Sequence, residues 1–558
     1  MTRVVAIGLD SVELSFVEAL MDEGALPVLD GIRRSAATAR LETGRPYRSE
    51  HTWTEFGTGQ SAETLRYWGP VTFDPATYEC LVIGAAPFRP FYALGARHPV
   101  IALDVPHSRP SLDLNGAQVI GWGAHDPQFP RCSRPAGLLA ELEATHGPHP
   151  GIAVEYAGTW NQPEFLDELA AAIIEGTRRR VGVVRSLLDR VPDWQLLVLV
   201  MSEAHATGHH MWHGVDARSP LHGAPTAAAA AAHLRAIHTA MDASIGEIVA
   251  SVPPDTTIAI FSVKGMTAAD ADVLAPALAP ELLHRFTFGR ALLRSWPPAR
   301  RAAIPPPVVP DPGINWTGAM RNDFADGARR RIRRYVRTRH PTIFELARRG
   351  ASRPPAAAGR VREQGPILDH VAVEDLAPTP EAFGEWHAAT WYRRYWPRMA
   401  AFVLPSFSDL HIRINVAGRE RDGRVPLDRY DSACDHVESL LRACVNPRTD
   451  RPIIGHVTRM RDADPMAPDG PGADLVVECP EPTDVLAHPQ VGIIGPFPYL
   501  RSGTHTSAGF GWFRGPGIPP VDLGTQPASS LAATLLELLG APGAHPGDGR
   551  SMLPSWHR

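Results

Sequence analysis

Four short, almost wholly apolar runs are spaced along the first half of the chain: Val4–Ile7, Val100–Leu103, Leu196–Met201 and Thr257–Phe261. Between them lie segments with helical periodicity at Leu14–Glu23, Phe165–Arg190 and Ala227–Val252. A strand without polar alternation has to be covered on both faces. Strands of that kind alternating with helices specify an α/β fold, a central, mostly parallel sheet flanked by helices. In such folds ligands gather beyond the carboxyl ends of the strands. The residues that follow each apolar run are therefore the first place to look for chemistry.

The pattern divides the 558-residue chain into three parts. Residues 1–266 hold the alternating segment and are expected to form the first part of the core. Residues 267–398 are rich in Arg, Pro and Ala, with Pro305-Pro306-Pro307 and the run Arg329-Arg330-Arg331-Ile332-Arg333-Arg334, and read as an inserted cap. That charge run is expected to be a solvated helix face. From 399 to 558 sheet-like sequence returns at Ala401–Leu404, Ile412–Val416 and Gly492–Ile494, and a helix at Ser529–Leu539 stops at Gly540. This last part is expected to complete the core.

Composition narrows the function classes. A net charge of −5 gives no global attraction to nucleic acid or to an anionic membrane surface. No apolar run reaches the roughly 18 residues that suggest a membrane span. The opening Met1–Asp10 lacks the length and flanks of a signal peptide, so the protein is expected to be cytoplasmic. Five cysteines without CxxC spacing argue against a disulfide framework and against a thiolate zinc site.

His205 and His209 lie four residues apart, directly after the run Leu196–Met201. On one helical turn such a pair shares a face and can hold one metal ion. The same pattern also fits a polar surface rich in histidine, and His210 and His213 nearby leave both readings open. A second oddity is the cation usage. Of 55 basic residues one is lysine, Lys264, and all the others are arginine.

Several segments, in order, resemble the alkaline phosphatase superfamily in its type I phosphodiesterase / nucleotide pyrophosphatase branch. Ala6-Ile7-Gly8-Leu9-Asp10-Ser11 resembles the first strand, ending in a metal-binding aspartate; Gly24-Ala25-Leu26-Pro27 resembles the turn that follows. Arg45-Pro46-Tyr47-Arg48-Ser49, with Trp53 and Thr58-Gly59 downstream, resembles the nucleophile segment. Asp104-Val105-Pro106 and Leu114-Asn115-Gly116 are similar to a further signature. Glu203-Ala204-His205-Ala206-Thr207-Gly208-His209 resembles the metal motif, with His205 where many relatives carry aspartate. Ile412-Arg413-Ile414-Asn415 with Gly418-Arg419-Glu420 resembles the returning segment, and Gly503-Thr504-His505 the late metal histidine.

The resemblance implies an alkaline phosphatase-like fold, a metal held by His205, His209 and His505, a nucleophile at Ser49 and a substrate-holding polar residue at Thr52. It also locates a departure. Where the branch supplies an aspartate and a histidine to a second metal, this chain reads Ser262-Val263-Lys264-Gly265-Met266. Valine has no donor atom and a charged lysine has no lone pair, so one zinc ion per chain is expected. Lys264, paired with Asp10, would stand in for part of the missing charge. An ammonium is a compact cation that can also lose its proton, which arginine cannot do at neutral pH. The implied activity is zinc-dependent hydrolysis or transfer of a phosphoryl ester of a small molecule through Ser49. The alternatives are the same scaffold turned to another group transfer or elimination in specialised metabolism, or a non-catalytic metal-binding relative.

Overall fold

Val5, Ile7 and Leu9 pack into one apolar layer while Val4 and Ala6 pack into the opposite one. The strand Leu196–Met201 divides in the same way, with Leu197, Leu199 and Met201 on one side and Leu196, Val198 and Val200 on the other. This two-residue alternation between two dry faces explains why these runs carry no polar positions. The computed structural model describes residues 2–44, 51–82, 88–124, 131–293, 304–309, 316–321, 367–370, 381–382 and 387–553.

Among the described residues nine strands form the main sheet. From one edge they run Asp522–Pro527, Ala37–Glu42, Ala508–Arg514, Thr257–Ser262, Val4–Leu9, Leu196–Met201, Gly95–Leu103, Leu114–Ile120 and Cys132–Arg134. Five of its eight neighbouring pairs are parallel, including both pairs made by the central strand Val4–Leu9. Helices Leu14–Asp22, Pro163–Arg190 and Ala227–Ala250 cover one face through Leu20, Leu169 and Ile237. Helices Thr52–Thr58 and Ser530–Leu538 cover the other through Phe56, Leu531 and Leu535. The expected α/β class, with its mostly parallel sheet between helices, is what the chain forms.

The expectation that 399–558 completes this core needs correcting. Ala401–Leu404 and Leu410–Ile414 join Leu475–Val477 and Val457–Arg459 in a separate four-stranded sheet, and Leu486–His488 and Gly492–Ile494 belong to another. Their apolar side chains meet Leu278 and Leu282, from the 267–398 segment, in a second core that also holds Trp396 and Phe402. Only Ala508–Arg514 and Asp522–Pro527 return to the main sheet. The physical reason is the hairpin. Ala401–Leu404 pairs antiparallel with Leu410–Ile414, its near neighbour in sequence, so the two are satisfied without reaching the larger sheet. The arginine run at 329–334 lies outside the described residues, as does Ser49. No helix among the described residues is long and apolar enough to cross a membrane.

Candidate metal centre

Register assembles the site. Leu9 lies opposite Met201 and Gly8 opposite Phe261, so the three central strands end level with one another. Asp10 follows the first strand, the helix Glu203–Met211 follows the second, and Lys264 follows the third. The backbone N–H of Asp10 donates to the carbonyl of Met201 at 2.9 Å, which fixes the aspartate beside the start of that helix.

The helix carries His205 and His209 on one face, as their spacing requires. His505 comes from a short strand, Gly503–His505, paired antiparallel with Met266–Ala268 so that His505 lies opposite Met266. Two glycines permit the approach. A Cβ at Gly503 would sit 2.4 Å from the carbonyl oxygen of Gly208, and one at Gly208 would sit 2.5 Å from the Met266 methyl. The result is a buried trio, with ligand atoms of His205, His209 and His505 all within 4.8 Å of one another.

Hydrogen bonds decide which nitrogens are available. Nδ1 of His205 lies 2.6 Å from Oδ2 of Asp10, and Nδ1 of His209 lies 2.8 Å from the carbonyl oxygen of Gly503. Both partners are acceptors, so each imidazole keeps its proton on Nδ1. In the neutral rings both Nε2 atoms therefore present lone pairs, and these face each other at 3.0 Å. Arg501 Nη1 lies 3.2 Å from Nε2 of His209 and can donate to it, so the two ring nitrogens converge on a point that also borders a guanidinium. Nδ1 of His505 is itself buried without a hydrogen-bond partner among the described residues. The donor set fits a soft-to-borderline divalent ion such as zinc, and carboxylate or carbonyl support behind each ring is the usual arrangement around metal-ligating histidines.

Asp10 does more than orient His205. Its Oδ1 accepts from Trp53 Nε1 at 2.9 Å and from Ser11 Oγ at 3.0 Å, and lies 3.7 Å from Lys264 Nζ. Lys264 is buried, at 5% side-chain exposure, so this ion pair is shielded from solvent. The basic character of the site is felt by His505. Burial first, then Lys264 and the surrounding basic groups including Arg501, hold its pKa well below the usual imidazole range.

The other histidines of the run have different duties. His210 packs edge-on against Phe165, and His213 bonds Thr226 at 3.0 Å. Glu203, first residue of the helix, is held by Arg180, which also reaches Asp104 and the carbonyl of Gly123. Burial alone would raise the pKa of Glu203, but Arg180 and His149 bring it down to about 2. This buried network anchors the helix that bears the histidine pair.

The structure thus brings Asp10, Lys264, His205, His209 and His505 together. Thr52 opens the helix Thr52–Thr58, and its Oγ1 is buried without a hydrogen-bond partner among the described residues. Sequence reasoning missed two participants. Trp53 was part of a recognised segment but had no visible role, and Arg501, which contacts His209, precedes the late histidine motif by two residues. Only the position of Arg501 beside Gly503-Thr504-His505 could have flagged it.

No family model matches the chain, and no curated protein matches it. Among solved structures it is similar to phosphonoacetate hydrolase from Sinorhizobium meliloti 1021 in complex with phosphonoformate, at 12% identity and a TM-score of 0.43, over 97% of this chain and 95% of that one. It is also similar to human ectonucleotide pyrophosphatase / phosphodiesterase 5, at 10% identity and a TM-score of 0.44, over 98% of this chain and 97% of that one. An inactive variant of the murine protein, in complex with AMP, gives 10% identity and a TM-score of 0.42 over the same shares.

Proposed function

We propose that this protein is a single-zinc enzyme of the alkaline phosphatase superfamily that hydrolyses or transfers a phosphoryl ester of a small molecule, with Ser49 as nucleophile. The observation that supports the reading is the buried trio of His205, His209 and His505, with ligand atoms within 4.8 Å of one another and acceptors behind the His205 and His209 rings. The ordered motifs from Asp10 to His505 supply the superfamily assignment.

His205, His209 and His505 would hold the zinc, which supplies Lewis-acid polarisation of a phosphoryl oxygen. Asp10 keeps the proton of His205 on Nδ1 and so keeps Nε2 available. Ser49 Oγ forms the new bond to phosphorus while the bond to the ester oxygen breaks and that oxygen leaves with a proton. Water, or an acceptor alcohol, then attacks the phosphoserine and releases Ser49. Lys264, tethered by Asp10, is a fixed cation for the negative charge that develops in both steps, the part a second metal would otherwise fill. As the sole lysine it is also the one side-chain amine able to take up a serine proton.

The test is turnover of phosphoryl esters by the zinc-loaded protein, before and after chelation, together with Ser49→Ala. The reading expects activity that chelation abolishes, zinc restores and Ser49→Ala lacks. Full turnover by Ser49→Ala would contradict the nucleophile assignment.

A further inference from the structure

We infer that Trp53 and Ser11 are positioning residues that hold the ammonium of Lys264 off Asp10, so that its N–H donors stay available to the reacting group. The inference deepens the phosphoryl reading above, and rests on it only for what the ammonium does once held off.

The carboxylate oxygen that faces Lys264 is already occupied. Trp53 Nε1 donates to Oδ1 of Asp10 at 2.9 Å, and Ser11 Oγ donates to the same atom at 3.0 Å. A carboxylate oxygen offers about two lone-pair sites, so these two donors use both. Nζ of Lys264 stands 3.7 Å away, beyond hydrogen-bond reach, although the side chain is only 5% exposed. Among the described residues it donates to no other acceptor. A buried ammonium beside a carboxylate ordinarily closes to about 2.8 Å, because a charge-assisted hydrogen bond is stronger than a neutral one. Here two neutral donors take the place of that contact.

Both donors are built in. Trp53 is buried, and its indole meets Phe56 edge-on with ring centroids 5.6 Å apart, with Phe261 at 6.4 Å. Gly8 on the central strand makes room for it, since a Cβ there would sit 3.1 Å from Cη2 of the indole. A ring packed in this way cannot carry its N–H to another acceptor. Ser11 holds φ at +60°, the left-handed region that a residue with a side chain enters at a cost. In that conformation its hydroxyl turns back onto Asp10. Strain of this kind gathers at functional sites.

Trp53 also stands four residues beyond Ser49, on the helix Thr52–Thr58, so one residue ties the nucleophile segment to Asp10. An ammonium docked on the carboxylate would give up a donor to it. Held off, Lys264 stays paired in charge and keeps all three N–H donors for the oxygen on which negative charge develops.

The experiment exploits the single lysine. In the zinc-loaded full chain labelled with 15N-lysine, one side-chain ammonium signal reports Lys264. Ser11→Gly removes one donor and suits the left-handed backbone, and Trp53→Phe removes the other and keeps a ring. Either change opens a lone pair on Oδ1. Nζ should close on it, and its hydrogens should exchange with solvent about 10-fold more slowly than in wild type. Turnover is followed with 4-nitrophenyl phosphate or bis(4-nitrophenyl) phosphate, whichever wild type uses faster. In each variant kcat should fall about 3- to 10-fold at unchanged KM and zinc content. In a Lys264→Met background neither change should cost more than about 2-fold.

Ammonium exchange equal to wild type in Ser11→Gly overturns the inference. So does a loss of kcat that persists undiminished in the Lys264→Met background, the behaviour of merely structural residues. If Trp53→Phe does not fold, Ser11→Gly alone decides. A wild-type protein that hydrolyses neither ester overturns the phosphoryl reading, and the exchange comparison still decides whether Trp53 and Ser11 hold Lys264 off Asp10.

Discussion

Asp10 contacts both the histidine trio and the lone lysine: one carboxylate oxygen lies 2.6 Å from Nδ1 of His205 and the other 3.7 Å from Nζ of Lys264. In the resembling family an aspartate at this position binds metal. Here it backs His205, a ligand in the proposed metal site, and pairs with the lone lysine.

From this arrangement Asp10→Ala should weaken zinc binding about 10- to 100-fold, the usual cost of removing the group behind a ligating histidine. Competition titration against a chromophoric chelator measures it. Zinc affinity equal to wild type would mean that the carboxylate serves Lys264 and Trp53 alone.

Lys264→Met removes both the charge and the proton acceptor and should cost on the order of 10² or more in turnover, by analogy with loss of one preorganised electrostatic donor. Lys264→Arg retains the charge but cannot act as a base. Partial recovery in that variant assigns the electrostatic role, and none assigns the proton-transfer role. Unchanged turnover in both variants would make the lone lysine an accident of composition.

Arg180 is fully buried between Asp104 and Glu203. Arg180→Met should destabilise the protein by about 3–5 kcal/mol, because two carboxylates are left in the interior without their cation. Chemical denaturation reads this directly. A loss below about 1 kcal/mol, the scale of a surface ion pair, would show that the carboxylates find other partners.

The fold was legible where the signal is local. Leu196–Met201 is a strand from end to end, and the expected helix Phe165–Arg190 extends only to Pro163. Ala37–Glu42 escaped notice because it sits near an edge, with one face half-exposed. Ala401–Leu404 and Leu410–Ile414 close on each other as a hairpin and then on Leu475–Val477, and no local pattern distinguishes such strands from those of the main sheet. The same reasoning separates the site residues. His205 and His209 announce themselves by a spacing of four, whereas Trp53 meets Asp10 across 43 residues and Arg501 meets His209 across 292.

Glu55 gives the pH dependence. Burial pushes its pKa up from 4.5 to about 7, with Glu63 and Asp548 adding to the rise against hydrogen bonding from Ser529. The folded state holds this proton more tightly than the unfolded chain, so the stabilising contribution is complete below pH 4.5 and is lost as pH rises through about 7. Glu55→Gln should flatten that slope, by up to about 3 kcal/mol across the window. Denaturation midpoints measured between these limits check it, and an unaltered slope would show that Glu55 titrates normally.

The account stands most directly on metal content. Purified full-length protein, supplied with zinc and then dialysed, should retain one tightly held zinc ion per chain by elemental analysis, and His205→Ala or His505→Ala should lose it. Two tightly held ions per chain, or full occupancy in His205→Ala, would contradict the single-metal site in which Lys264 takes the place of the second ion.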